Sequence, residues 1–173
     1  MKKVEREVKI KAPLEKVMEV MIDIERYTKF IPSINSIELT HFCENNRRIE
    51  AKFKSKLPVI NADVVSHQEI CFDLSRYRFQ FRELEGKFKH FRGVRELHRG
   101  SDAVTFYSRV EYQFGDGFLF SLLNESLKSV VYSNIESLQN GIKKEAESCK
   151  KEIHCLESLE KQAIQKLSLS VNR

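Results

Sequence analysis

A chain of 173 residues, 41% hydrophobic and 32% charged, has material for one packed core and is too apolar to be disordered. Its net charge of +5 permits contact with an anionic surface without requiring one, because Lys and Glu alternate along much of the chain. No apolar run approaches the roughly eighteen residues of a membrane span, and MKKVEREVKIKAP lacks the apolar core of a signal peptide, which predicts a cytoplasmic protein, at most peripheral to a membrane.

Residues 4–11, VEREVKIK, alternate charge and aliphatic, with Val4, Val8 and Ile10 on one parity; they predict a half-buried strand. APLEKVMEVMIDIERY switches to helical spacing: Pro13 suits a first turn, and Val17, Val20, Met21 and Ile24 form an apolar stripe. The octet YTKFIPSI that follows is greasy for a connection, since turns are normally polar and glycine-rich. SINSIELTHFC and NRRIEAKFKSKL read as strands joined at ENN, with Ile49, Ala51 and Phe53 opposing Glu50, Lys52, Lys54 and Lys56. NADVVSHQEICFDL, RYRFQFREL, KFKHFRGVREL and DAVTFYSRVEYQF continue the pattern; in the second of these, Tyr77, Phe79 and Phe81 oppose Arg76, Arg78, Gln80 and Arg82. About seven strands on short turns predict one antiparallel sheet.

From Phe118 the period becomes helical through Leu119, Leu122, Leu123, Leu127, Val130, Val131, Ile135, Leu138 and Ile142. A helix this apolar must lie against the sheet. The seam continues through Ala146, Cys149, Ile153, Leu156, Ala163 and Leu167. Unbroken to Leu167, the helix would run about 70 Å, so either Asn140-Gly141 interrupts it or its last turns project as an arm. A solvated helix, docking on the domain, and a homodimer seam all fit this tail. The chain therefore divides into a domain at 1–147 and a helical extension at 148–173.

Little in the sequence points to chemistry. Cys43, Cys71, Cys149 and Cys155 form no CxxC pair and read as reduced thiols. The nearest metal ligands, Cys149, His154 and Cys155, diverge on a helix, so neither a metal nor any other cofactor is expected. There is no nucleophile elbow, phosphate-cradling loop or zinc-protease helix, and only six glycines. His67 shares a strand parity with Asp63; the interior or the solvent face of an edge strand would accept the pair. Lys52, Lys54 and Lys56, with Arg76, Arg78 and Arg82, make two basic strand faces suited to phosphate attraction or to plain solvation.

The order of elements, with IKAPLEKVMEVMIDIERYTKFIP and FKHFRGVRELHRGSDAVTFYSRVEYQF, resembles the helix-grip or START-like superfamily (Bet v 1-like), nearest the polyketide cyclase and coenzyme Q-binding type. Ala12, Pro13, Glu15, Val17, Asp23, Tyr27, Phe30 and Pro32 stand at that family's motif positions, and the likeness spans roughly residues 3–147. Thr28 replaces a common proline, and Arg95 stands where an aromatic is expected. The resemblance implies an α+β fold: two short helices after the first strand, and a curved antiparallel sheet gripping the long C-terminal helix around a cavity.

Strand parity places Phe53, Phe79, Phe81, Phe91, Phe106, Val110 and Tyr112 on inner faces, where they would either fill a core or line that cavity. Arg95 and Ser108 are the polar candidates beside them, and a buried Arg95 would fix a ligand headgroup. The octet, through Tyr27, Phe30, Ile31 and Pro32, would then be a lid facing Phe118 and Leu122, with Val130 deeper on the helix. The implied function is non-catalytic binding or transport of a hydrophobic small molecule such as a lipid, prenylquinone or polyketide-like compound. A polyketide cyclase or dehydratase-like enzyme is the second reading, and ribosome association, as in the family's toxin branch, the third.

Overall fold

In a computed structural model, the described residues are 1–45, 47–57, 61–115, 118–148 and 156–171, less the side chains of 118–121, 156, 157, 159, 160 and 163. Alternation of apolar and charged residues sets up β1 (Lys2–Ile10), with Val4 and Ile10 turned into the core. The first helix, α1 (Leu14–Ile22), buries Val17, Met18, Val20 and Met21 as its stripe requires. A single 3-10 turn then leads into α2 (Tyr27–Phe30).

Six further strands follow: β2 (Ile34–Cys43), β3 (Arg48–Leu57), β4 (Ala62–Asp73), β5 (Arg78–Glu85), β6 (His90–Arg99) and β7 (Val104–Gln113). They form one antiparallel sheet in the order β1-β7-β6-β5-β4-β3-β2, which leaves β1 and β2 as its edges. Register shifts at Ile34/Ser36 and Leu39/His41 in β2, and at His67/Gln68 where β4 meets β5, are the irregularities that bend and twist such a sheet. The expected start of β5 is corrected by two residues. Tyr77 adopts a left-handed φ of 52°, which turns the chain before Arg78 instead of extending it.

The helix α3 (Phe118–Ser148) covers the concave face. At about 1.5 Å per residue its 31 residues span about 46 Å. It runs in the same direction as β1: Lys2 pairs with Glu125, Arg6 lies 3.2 Å from Glu136, and the Lys11 amide donates to Glu147 at 2.8 Å. Where α3 crosses β1 and β7, Gln139 is wholly buried. Its Nε2 donates to the carbonyls of Arg6 (3.1 Å) and Phe106 (2.9 Å) and to Ser108 Oγ (3.3 Å), while its Oε1 accepts from Arg6. Ser108 is thus an inner-face residue that binds the helix and not a ligand.

Asn140-Gly141 does not interrupt α3. A Cβ built on Gly141 would overlap the Phe30 ring and sit 2.8 Å from Phe30 Cβ, so the glycine lets α2 press against the helix. A second helix, α4 (Leu156–Val171), packs against α1 and β2 rather than projecting. Leu167 is buried there, Val171 touches the core, Lys166 pairs with Asp23, and Ser170 Oγ donates to Glu25 at 3.1 Å. Of the predicted seam, Ile142, Ala146 and Leu167 are buried in the chain's own core. Cys149, His154, Cys155 and Ile153 lie outside the described residues. Among those described, no helix is long and apolar enough to cross a membrane.

Two outcomes follow from this packing. Gly141→Ala should lower stability by about 1 kcal/mol or more in urea denaturation, although alanine is the better helix former by a similar amount, because overpacking against Phe30 outweighs propensity. Leu167→Ala should cost about 2–4 kcal/mol, whereas Lys166→Ala, which removes only a half-exposed ion pair, should cost less than about 1 kcal/mol.

Candidate functional site

The concave face of the sheet and the middle of α3 do not close completely on each other. They leave a cavity of about 130 Å³. Phe53 (β3), Val64 (β4), Phe81 (β5), Phe91 (β6) and Val110 (β7) supply its apolar sheet wall, and Leu127, Val130, Val131, Ile135 and Leu138 its helix wall. Tyr27 and Ile31 close it from the octet. Alternation explains the sheet contribution, since residues of one parity share a face.

Arg95 enters this apolar space from β6. Its Cζ lies 4.6 Å from the centroid of the Phe81 ring and 5.2 Å from that of Tyr27, so two aromatic faces hold the guanidinium. Gly93 makes room for the arrangement: a Cβ there would overlap the Phe81 ring, with Cε1 only 2.7 Å away. Among the described residues no carboxylate lies within ion-pair distance of Arg95. Burial pushes its pKa down, with Tyr27 opposing the shift, and burial likewise pushes the Tyr27 phenol up. The Tyr27 hydroxyl donates to the Met21 carbonyl at 2.7 Å, and its interaction with Arg95 opposes the effect of burial on the guanidinium.

The second polar group on the wall is a relay. Gln68 Nε2 donates to Ser66 Oγ at 3.0 Å, and Ser66 in turn donates to Glu83 Oε2. Glu83 Oε1 accepts the Phe88 amide at 3.0 Å. Burial raises the Glu83 pKa above the usual carboxylate value, against the pull of the Ser66 and Phe88 hydrogen bonds. Beside the relay, Phe88 packs on Phe91 (5.0 Å), Phe114 (5.3 Å) and Tyr112 (6.4 Å).

Of the residues expected at the site, Tyr27, Ile31, Phe53, Phe81, Phe91, Arg95, Val110 and Val130 line the cavity. The others stand elsewhere. Phe79 is buried against Phe72 (6.0 Å), Phe106 lies under Gln139, and Tyr112 donates its hydroxyl to the Asn124 carbonyl at 2.9 Å. Phe30 is directed at Gly141, and Pro32 is exposed. Leu122 is 54% exposed, so the expected lid contact does not form, and the side chain of Phe118 lies outside the described residues. The reason is the direction of α3. Its first turns sit by the start of β1, whereas the octet follows α1, beyond the end of β1. The octet therefore meets the later part of the helix, as in the hydrogen bond from Ser33 Oγ to Asn134 Oδ1 at 2.9 Å.

Val64, Ser66, Gln68, Glu83 and Phe88 also line the cavity, and the sequence reading does not place them there. The signal for the first three is present in β4: Ala62, Val64, Ile70 and Phe72 share the even parity, which marks it as the inner one. Asp63 and His67 take the odd parity and face outward. Asp63 is exposed, and His67 Nε2 meets Glu50 at 3.5 Å and Thr40 at 3.4 Å. The arginines of the basic outer face are paired with acids. Arg82 and Arg48 converge on Glu69 at 2.7 and 3.1 Å, Arg78 meets Glu96 at 3.0 Å, and Arg76 meets Asp73 at 3.6 Å. Cys43 and Cys71 are not joined in a disulfide.

No protein-family model matches the chain, and no curated protein does. Solved structures do match. The protein TTHA0849 from Thermus thermophilus superposes with a TM-score of 0.75 at 19% identity, covering 87% of this chain and 100% of its own. The ZhuI aromatase/cyclase from Streptomyces sp. R1128 gives 0.74 at 18%, covering 84% and 93%. A START superfamily protein from Mycobacterium smegmatis gives 0.67 at 11%, covering 82% and 97%. Together with the seven-stranded antiparallel sheet and its long helix, these matches define the class: this chain has the helix-grip fold.

A half-buried cation with ring faces but no carboxylate beside it is held at some cost. Arg95→Met should therefore raise the stability of the ligand-free protein by up to about 1 kcal/mol in urea denaturation. A fall in stability would mean that Arg95 serves the fold.

Proposed function

We propose that this protein binds and carries a hydrophobic small molecule in the cavity between sheet and α3, without converting it. The carrying observation is Arg95: a guanidinium held against two ring faces in an apolar space, with no carboxylate to answer it among the described residues. Such a group is costly in an empty core and useful when a ligand oxygen occupies it. The fold shared with a START superfamily protein and an aromatase/cyclase supports a ligand-binding role. Residues 1–147 would form the binding domain and 148–173 its helical brace. The carrier would work in the cytoplasm, with a membrane surface as its natural place of exchange.

A cyclase-like enzyme is the second reading, and Glu83 is the observation in its favour, because a carboxyl with a raised pKa on a cavity wall is a potential proton donor. Against it, both oxygens of Glu83 already accept hydrogen bonds. Moreover, no histidine reaches the cavity among the described residues.

The test is native mass spectrometry of protein expressed in several hosts, paired with thermal shift against a panel of apolar small molecules. A co-purifying mass and a positive shift are expected, and both should disappear in Val64→Phe, which fills the cavity from β4. Protein that emerges empty from every host and is shifted by no apolar compound would end the carrier reading.

A further inference from the structure

We infer that the cavity's occupant is a compact aromatic acid, about one ring across, whose carboxylate meets Arg95 and whose far edge carries a hydroxyl bonded by Gln68 and Ser66. This rests on the ligand-binding reading and narrows it from hydrophobic molecules in general to one shape and two functional groups.

The size comes from the space. A cavity of about 130 Å³ is close to the roughly 150 Å³ that admits benzene, and well short of the several hundred Å³ needed by a drug-sized or long-chain ligand. The flatness comes from the walls: Tyr27 and Phe81 both present ring faces to the guanidinium, and Phe91 and Phe88 extend the aromatic lining. The charge comes from Arg95, whose donors fit the two oxygens of a carboxylate in a fork and have no acid of the described residues to bind.

The second functional group comes from the register. Phe81, over which the guanidinium lies, and Glu83 are two residues apart on the same face of β5, a separation of about 7 Å. That is close to the distance between opposite substituents of a single ring. The relay at that end is directed: Gln68 donates to Ser66, Ser66 to Glu83, and the Phe88 amide to Glu83. Among the described residues nothing donates to the Gln68 side-chain carbonyl, and the amide has a second N–H beside it. A ligand hydroxyl, donor and acceptor at once, satisfies that position better than an apolar edge or a second anion, which the half-buried Glu83 carboxylate would repel.

The experiment is an amide chemical-shift titration of the full chain with 4-hydroxybenzoate, its methyl ester, 4-methylbenzoate, 4-methylphenol and dodecanoate. 4-Hydroxybenzoate should bind about tenfold or more tightly than its ester, and a few-fold more tightly than 4-methylbenzoate. Arg95→Met should bring the acid to the level of the ester while leaving 4-methylphenol unchanged, and Arg95→Lys should restore part of the difference. Gln68→Leu should remove the advantage of the hydroxyl and keep that of the carboxylate. An ester that binds as tightly as the acid, or dodecanoate binding more tightly than 4-hydroxybenzoate, overturns the inference and leaves the carrier reading standing. Cavity amides unmoved by every probe overturn both.

Discussion

Gln139 lies without solvent exposure between α3, β1 and β7, and its amide is bonded at both ends: the nitrogen to two strand carbonyls and Ser108, the oxygen to Arg6. The side chains of Gln139 and Ser108 would otherwise be polar groups sealed under a helix, a loss of about 1–3 kcal/mol apiece. The amide therefore specifies where along the sheet α3 must rest, something that apolar contacts alone would leave open to sliding. With that point fixed, the preceding turns of the helix pass over the cavity-lining part of the sheet. Leu127, Val131 and Ile135 then face Phe53 and Phe81 across a gap. The cavity is a consequence of this placement: one long helix, pinned at a polar crossing, cannot follow a bent sheet along its whole length.

The same logic explains the greasy octet. Tyr27 and Ile31 wall the cavity, Phe30 braces α3 through the space that Gly141 leaves, and Ser33 holds Asn134. The segment is apolar because it joins the two layers, and its polar tether from Ser33 reaches the helix. Arg95 then stands out as the group that the fold does not need. Its neighbours stabilise it through their ring faces, yet leave its hydrogen-bonding edge without an anionic partner among the described residues. A core selected for stability alone would place an aliphatic or aromatic side chain here.

Much of this is legible in the sequence, for physical reasons. Period-2 alternation identifies the strands and puts Phe53, Phe81, Phe91 and Val110 on the concave face, and helical spacing identifies α1 and α3. The arginine among aromatics is visible because its parity matches theirs. Other features depend on distances that no local pattern encodes. Leu122 belongs to the same stripe as Leu127 but lies past the end of the sheet's cover, so spacing assigns it to the core and geometry leaves it exposed. Asn140-Gly141 looks like a helix stop, yet the tertiary contact with Phe30 makes the glycine useful inside the helix. In β4 the inner parity carries the polar Ser66 and Gln68, so apolar character alone does not mark that stretch as a cavity wall. The residue types more often associated with chemistry, Asp63 and His67, belong to the outer parity.

The docking of α4 beside β2 also bears on how this chain meets other chains. An open sheet has two margins, and each offers a row of backbone donors and acceptors to any passing strand. Here α3 accompanies β1 along its length, while α4 packs on β2, itself irregular through two register shifts. The β2 margin is thus met by a part of the same molecule, and its bulges further disfavour lengthening the sheet on that side. Loss of α4 would do more than remove some packing, because it would leave β2 open to a neighbouring copy and give the protein a route to self-association that the intact chain closes.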